Sequence, residues 1–135
     1  MSTLVVGNCV EKEWVEKDGA AYAQPAKPDP VVNGLQDLMG GMLNADEYKT
    51  IKVVLTSSKA SAMAGQQAQL FFSADGTLSE ANSLRAKITS NGDGTLTAQF
   101  DGKTNANWKG NLTTLRFDPW NNDADFSLIS ITFAP

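Results

Sequence analysis

The sequence predicts an all-β protein, an antiparallel β-sandwich with at most one or two short helical turns. Three observations carry this. Apolar and polar residues alternate with period two in several short runs between Ile51 and Phe117. Turn-forming dipeptides such as Asp75-Gly76, Asn91-Gly92, Asp93-Gly94 and Asp101-Gly102 separate those runs. Helical spacing of apolar residues is almost absent, and many short strands with frequent turns are the pattern of two packed antiparallel sheets.

Taken in order, Leu4 to Val6 and Cys9 to Val15 read as short strands broken near Gly7-Asn8, with Trp14 in the second. Lys17-Asp18-Gly19 is a turn, and Ala20 to Ala23 a short strand. Prolines at 25, 28 and 30 then make an extended surface crossing, because proline cannot serve a helix interior or a central strand. Val31 to Leu43 is read either as a strand plus a loop or as a loose helical turn. Leu35, Leu38, Met39 and Met42 have helical spacing, whereas Gly34, Gly40 and Gly41 each weaken a helix by roughly 1 kcal/mol. Asn44 can cap and Glu47 stands at the capping-box position, which predicts a single helical turn before the next strand.

From Tyr48 on, strand follows strand. Ile51, Val53 and Leu55 alternate with Lys52, Val54 and Thr56, and Ser57 to Gly65 is a loop of small residues. Ala68, Leu70 and Phe72 share one face of the next strand, Gln67, Gln69 and Phe71 the other. Leu84, Ala86 and Ile88, then Leu96, Ala98 and Phe100, repeat the alternation around a hairpin at Asn91 to Gly94. Leu115 and Phe117 alternate with Thr114, Arg116 and Asp118 until Pro119 stops the strand. In the last strand the apolar phase runs through Phe126 and Leu128, then switches to Ile129, Ile131 and Phe133. That slip predicts a β-bulge near Leu128-Ile129.

The chain of 135 residues is long enough for one domain with its own core, over residues 1–135. Its 41% hydrophobic and 19% charged residues are ordinary for a globular protein. A net charge of −4, with eleven scattered basic residues, argues against nucleic acid as a partner. No apolar run has membrane length, which argues against a membrane partner. The amino terminus lacks the features of a secretory signal. With one cysteine, Cys9, no internal disulfide forms, and the neighbouring Glu11 and Glu13 have the wrong sign to activate its thiol. There is no histidine, which removes the commonest general base and transition-metal ligand together. No nucleophile elbow, phosphate loop or metal triad points to an enzyme. The reading is recognition without catalysis.

The stretches Tyr48–Val53, Ala68–Gly76, Ser79–Ser83 and Trp108–Pro119 resemble, in that order, the galactose-binding-like jelly-roll modules attached to bacterial glycoside hydrolases, surface-layer-linked proteins and some phage proteins. The resemblance covers roughly residues 48–133, and the tryptophan-x-glycine … leucine-arginine-phenylalanine-aspartate-proline run is its most specific part. It implies a jelly roll of eight or more strands and non-catalytic binding of a polysaccharide or cell-surface glycan, often with a structural calcium. It does not name the sugar, because ligand loops vary between such modules.

Sugar recognition asks for a flat aromatic surface with amide or carboxylate groups beside it. Trp120 with Asn121, Asn122 and Asp123 has that chemistry in a loop, and Trp108 with Asn107 and Asn105 has it again. Each tryptophan has a second reading as a core residue. Arg116 is read as pairing with Asp118 or Asp101, or as reaching a ligand hydroxyl or carboxylate. Gln67, Gln69 and Phe71 form a groove if their face is open. The aspartates at turns are hard donors for a calcium ion, but Asn91 to Gly94 lacks the downstream Glu of an EF-hand and reads as turn chemistry. The competing expectation is a phage virion protein of the same fold, a head-decoration or tail component with a capsid or tail partner. An excised enzyme module is expected outside the cell or at its surface, and a phage protein in the virion.

Overall fold

Alternation along the strands sorts the chain into two antiparallel sheets that share one interior. The computed structural model describes residues 14–17, 20–23, 32–33, 41–120 and 126–135. One sheet has six strands in the order β1 (Trp14–Lys17), β2 (Ala20–Ala23), β12 (Phe126–Ala134), β5 (Thr50–Thr56), β9 (Thr95–Asp101) and β8 (Thr89–Ser90). The other has four, in the order β3 (Val32–Asn33), β11 (Thr114–Asp118), β6 (Gln67–Ser73) and β7 (Ser83–Lys87). β4 (Leu43–Asn44) and β10 (Asn111–Leu112) form a separate small ribbon. The predicted antiparallel β-sandwich is the observed architecture.

The period of two decides what is buried. Ile51, Val53 and Leu55 of β5 face inward with Leu96, Ala98 and Phe100 of β9, their register partners reversed in order. Ala68, Leu70 and Phe72 of β6, Leu84 and Ala86 of β7, and Leu115 and Phe117 of β11 line the opposite wall. Each fully buried Leu or Phe contributes about 1.5–3 kcal/mol by leaving water. Outward, β5 and β9 present Lys52, Gln99 and a series of threonines.

The predicted bulge is present. β12 pairs with β5 through Leu128, then resumes at Ser130, so the register shifts between them. Ile129 is the extra residue and is 38% exposed, while Leu128, Ile131 and Phe133 stay buried. The hairpin at Asn91 to Gly94 is also present, with positive φ at Gly92 and Gly94 and the Asn91 amide donating to the Thr95 carbonyl at 3.0 Å.

Other expectations are corrected. Within the expected loop Ser57 to Gly65 lies a one-turn helix, α1 (Ala60–Met63), whose Met63 is buried. A single turn is too short for a helical period to show in sequence. The expected helical turn at Asn44 is a hydrogen-bonded turn that ends β4. The Asn44 side chain accepts from the Asp46 amide at 3.0 Å, and its carbonyl from Glu47 at 3.1 Å and Tyr48 at 3.2 Å. β3 and β4 stand at the two ends of the ambiguous stretch Val31 to Leu43; residues 34–40 lie outside the described residues, as do residues 1–13 and the proline-rich crossing. The chain also changes sheets where the sequence shows only continued alternation. β7 ends at Lys87, Ile88 is buried, and β8 begins at Thr89 in the other sheet.

Candidate functional site

Two places bring sequence-predicted residues to the surface, and they are built differently. The first is the corner formed by residues 101–112. After β9, Asp101 accepts from the Lys103 amide at 2.9 Å and starts a 3-10 turn, Gly102–Thr104. The Gly102 amide donates to the Lys49 carbonyl at 2.7 Å, drawing this turn against the segment before β5. Trp108 then enters the core at 2% exposure. Its Nε1–H donates to the Tyr48 carbonyl at 2.8 Å, and its ring meets Phe72 edge-on with centroids 5.0 Å apart. A Cβ at residue 102 would fall on the Trp108 indole, so only glycine fits there.

Burying the indole pushes the neighbouring amides outward. Asn105 Nδ2 donates to the carbonyls of Ala81 and Ser83, both at 3.0 Å. Asn107 Nδ2 donates to Asn82 Oδ1 at 2.9 Å and to the Ala81 carbonyl at 3.4 Å. The Asn107 amide N–H donates to Asn105 Oδ1 at 2.9 Å. These bonds clamp the β6–β7 connection and frame an open cleft of about 420 Å³. Phe72 and Leu112 lie buried at its base and exposed Ala74 at its edge, with Ser73, Asn82, Asn107 and Lys109 as its polar lining.

The second place is the outer face of the four-stranded sheet. Arg116 and Asp118 lie two residues apart on β11 and so share that face. Arg116 Nε and Nη2 donate to the two Asp118 carboxylate oxygens, each at 2.9 Å. The guanidinium carbon lies 4.5 Å above the Phe71 ring, a register partner on β6. The structure therefore chooses Asp118 as the partner of Arg116; Asp101 lies on the other sheet. Phe71 is 7% exposed beneath this pair, so the expected groove of Gln67, Gln69 and Phe71 has no open ring at its centre. Gln69 Nε2 donates to Glu80 at 3.0 Å and to the Ser83 hydroxyl at 2.9 Å, and Arg85 reaches Glu80 at 3.3 Å. Most of the polar capacity of this face is closed on itself.

The tryptophan loop is placed only at its start. Trp120 is 1% exposed and meets Phe126 edge-on, with centroids 6.0 Å apart. Its ring, like that of Trp108, has no face open to solvent; burial of so large an apolar surface outweighs its display. Asn121, Asn122 and Asp123 lie outside the described residues.

The aspartates of the turns are engaged locally. The Thr77 amide and the Ser73 hydroxyl hold the Asp75 carboxyl below its ordinary value, and the side chain and amide of Thr95 do the same for Asp93. Among the described residues no three carboxylate, cysteine or histidine side chains converge as a metal site would require. Asp123 and Asp125 lie outside the described residues.

No protein-family model matches the chain, and no curated protein matches it. Solved structures do. A low-affinity xylan-binding module, CBM86, from the gut symbiont Roseburia intestinalis aligns over 98% of this chain and 95% of that chain, with a TM-score of 0.57 and 14% identity. A carbohydrate-binding module of family 29 aligns over 95% of this chain and 79% of that one, at 0.55 and 11%. A CBM4 module aligns over 98% and 84%, at 0.52 and 10%. The chain has the fold of these modules. The likeness extends across the sandwich rather than only the span from residue 48 that carried the sequence resemblance. Among the described residues no helix is long and apolar enough to cross a membrane.

Proposed function

We propose that the protein is a non-catalytic carbohydrate-binding module, a single sandwich unit that recognises a polysaccharide or cell-surface glycan. The fold shared with carbohydrate-binding modules supports the class. The observation that carries the placement is the open cleft of about 420 Å³ beside Asn82, Asn107 and Lys109. Its size lies within the range of roughly 300–1,000 Å³ usual for small-ligand clefts. It offers amides suited to hydroxyls over a base of buried Phe72 and Leu112. Asn107 contacts the ligand, while Trp108 holds the cleft from beneath without touching it. Arg116 is committed to Asp118 and stands outside the contact set.

The test is affinity electrophoresis against soluble polysaccharides, with a light-scattering mass on each sample. Retardation of the wild type and Arg116→Ala, lost in Asn107→Ala with its circular dichroism unchanged, is the expected result. No retardation on any glycan, together with a defined oligomer, overturns the reading in favour of assembly with a capsid or tail partner.

A further inference from the structure

The hydrogen bonds around the cleft have a direction set by the backbone. The carbonyls of Ala81 and Ser83 can only accept. They therefore fix Asn105 with its Nδ2 toward them, leaving its Oδ1 for the Asn107 amide. Asn107 in turn directs its Nδ2 at the Ala81 carbonyl, so the atom of Asn82 that meets it is the acceptor Oδ1. The Asn82 side chain is left with both N–H donors, and no described residue accepts from them. Lys109 adds three more N–H donors and makes no salt bridge among the described residues.

The side-chain acceptors on the lining are fewer. Asn107 keeps its Oδ1. The Ser73 hydroxyl donates to Asp75 Oδ1 at 2.8 Å and accepts from the Asp75 amide at 3.1 Å. No carboxylate lines the cleft. The Asp75 carboxylate lies one hydrogen bond behind Ser73 and is taken up by that hydroxyl and by the Thr77 amide at 3.0 Å. In a chain of net charge −4, the cleft is thus lined by one cation, no anion and an excess of donors. A neutral sugar hydroxyl accepts from these donors but also brings an O–H for which few side-chain acceptors remain. A carboxylate accepts only, with two oxygens for the ammonium and the amide.

We propose that the cleft takes an acidic saccharide, a glycan bearing uronate residues, with the carboxylate on Lys109 Nζ and Asn82 Nδ2 and ring hydroxyls on Asn107. This deepens the proposed glycan-binding function and rests on it.

The experiment uses the full chain, isothermal titration at low salt, and paired probes. These are oligomers of a galacturonan, an alginate and a glucuronoxylan, each beside its own carboxyl-reduced form. The expected result is that one acidic oligomer binds at least tenfold more tightly than its reduced form, about 1.4 kcal/mol. Lys109→Met should erase that difference between the acidic and reduced forms, and added salt should narrow it. If a reduced oligomer binds as well as its acidic partner, and Asn107→Ala abolishes both, the acidic inference fails and the glycan reading stands. If no oligomer or polysaccharide binds, both fail. If acetate or inorganic phosphate displaces the oligomer at equal concentration, the site holds only a bare anion and the inference is overturned.

Discussion

The corner around Trp108 and the face around Arg116 use the same ingredients, an aromatic ring and polar groups beside it, to opposite ends. At the corner the ring is buried and the amides of Asn82 and Asn107 are turned to solvent with hydrogen-bonding capacity remaining. On the face the ring of Phe71 is roofed by Arg116, and Arg116 is closed on Asp118. The difference follows from where partners come from. On a strand, residues two apart point the same way, so a long arginine folds back on a neighbouring carboxylate. At the corner, partners come from segments more than twenty residues apart, and bonds to backbone carbonyls consume one side of each amide only. A site that holds its shape through the backbone keeps side-chain atoms for a ligand.

The comparison breaks most completely if the corner loses its buried ring. Trp108→Ala should cost about 3–5 kcal/mol in urea unfolding and abolish glycan retardation with it. Gly102→Ala, which forces a methyl onto the same indole, should cost about 1–3 kcal/mol if the corner shifts to admit it. An unchanged urea midpoint in Gly102→Ala would show that Trp108 is not held as described. On the face, Asp118→Ala should cost about 1–2 kcal/mol, between the values for buried and surface pairs, because the Arg116 side chain is 27% exposed. Its glycan affinity should stay within about twofold of wild type, about 0.4 kcal/mol against the 1.4 kcal/mol of a tenfold change. A larger loss of affinity would move the site from the corner to the sheet face.

Smaller still is the effect of acid. The Asp75 and Asp93 carboxyls lie below their ordinary value of about 3.8 in the folded protein. Groups depressed by folding contribute stability above their unfolded value and lose it as pH falls through the folded one. The unfolding midpoint should therefore drop slightly below pH 3.8, by less in Asp75→Asn than in wild type. A midpoint that rises on acidification would contradict this.

Much of the fold was legible because strands write their burial into every second residue. The inward residues of β5 and β9 and the bulge at Ile129 both follow from phase. α1 was not legible, since four residues hold one turn and no repeat. Nor was the change of sheet at Ile88, because alternation is the same in either sheet. Of the residues lining the cleft, Asn107 was singled out in sequence through its place beside a tryptophan. Asn82 was missed: its partner stands 25 positions away and nothing local marks it. Lys109 was one of eleven scattered basic residues until the cleft gave it a setting.

The order of residues alone determined the class of the molecule, its turns, the phase of its strands and the absence of histidine chemistry. Those are properties of short windows, where sterics and the period of two act between neighbours. Whether a tryptophan shows its face or hides it, which carboxylate an arginine takes, and which way an amide points were decided only when distant strands met. Each depends on a competition for burial or for a backbone carbonyl, and the competitors come together only in the folded chain.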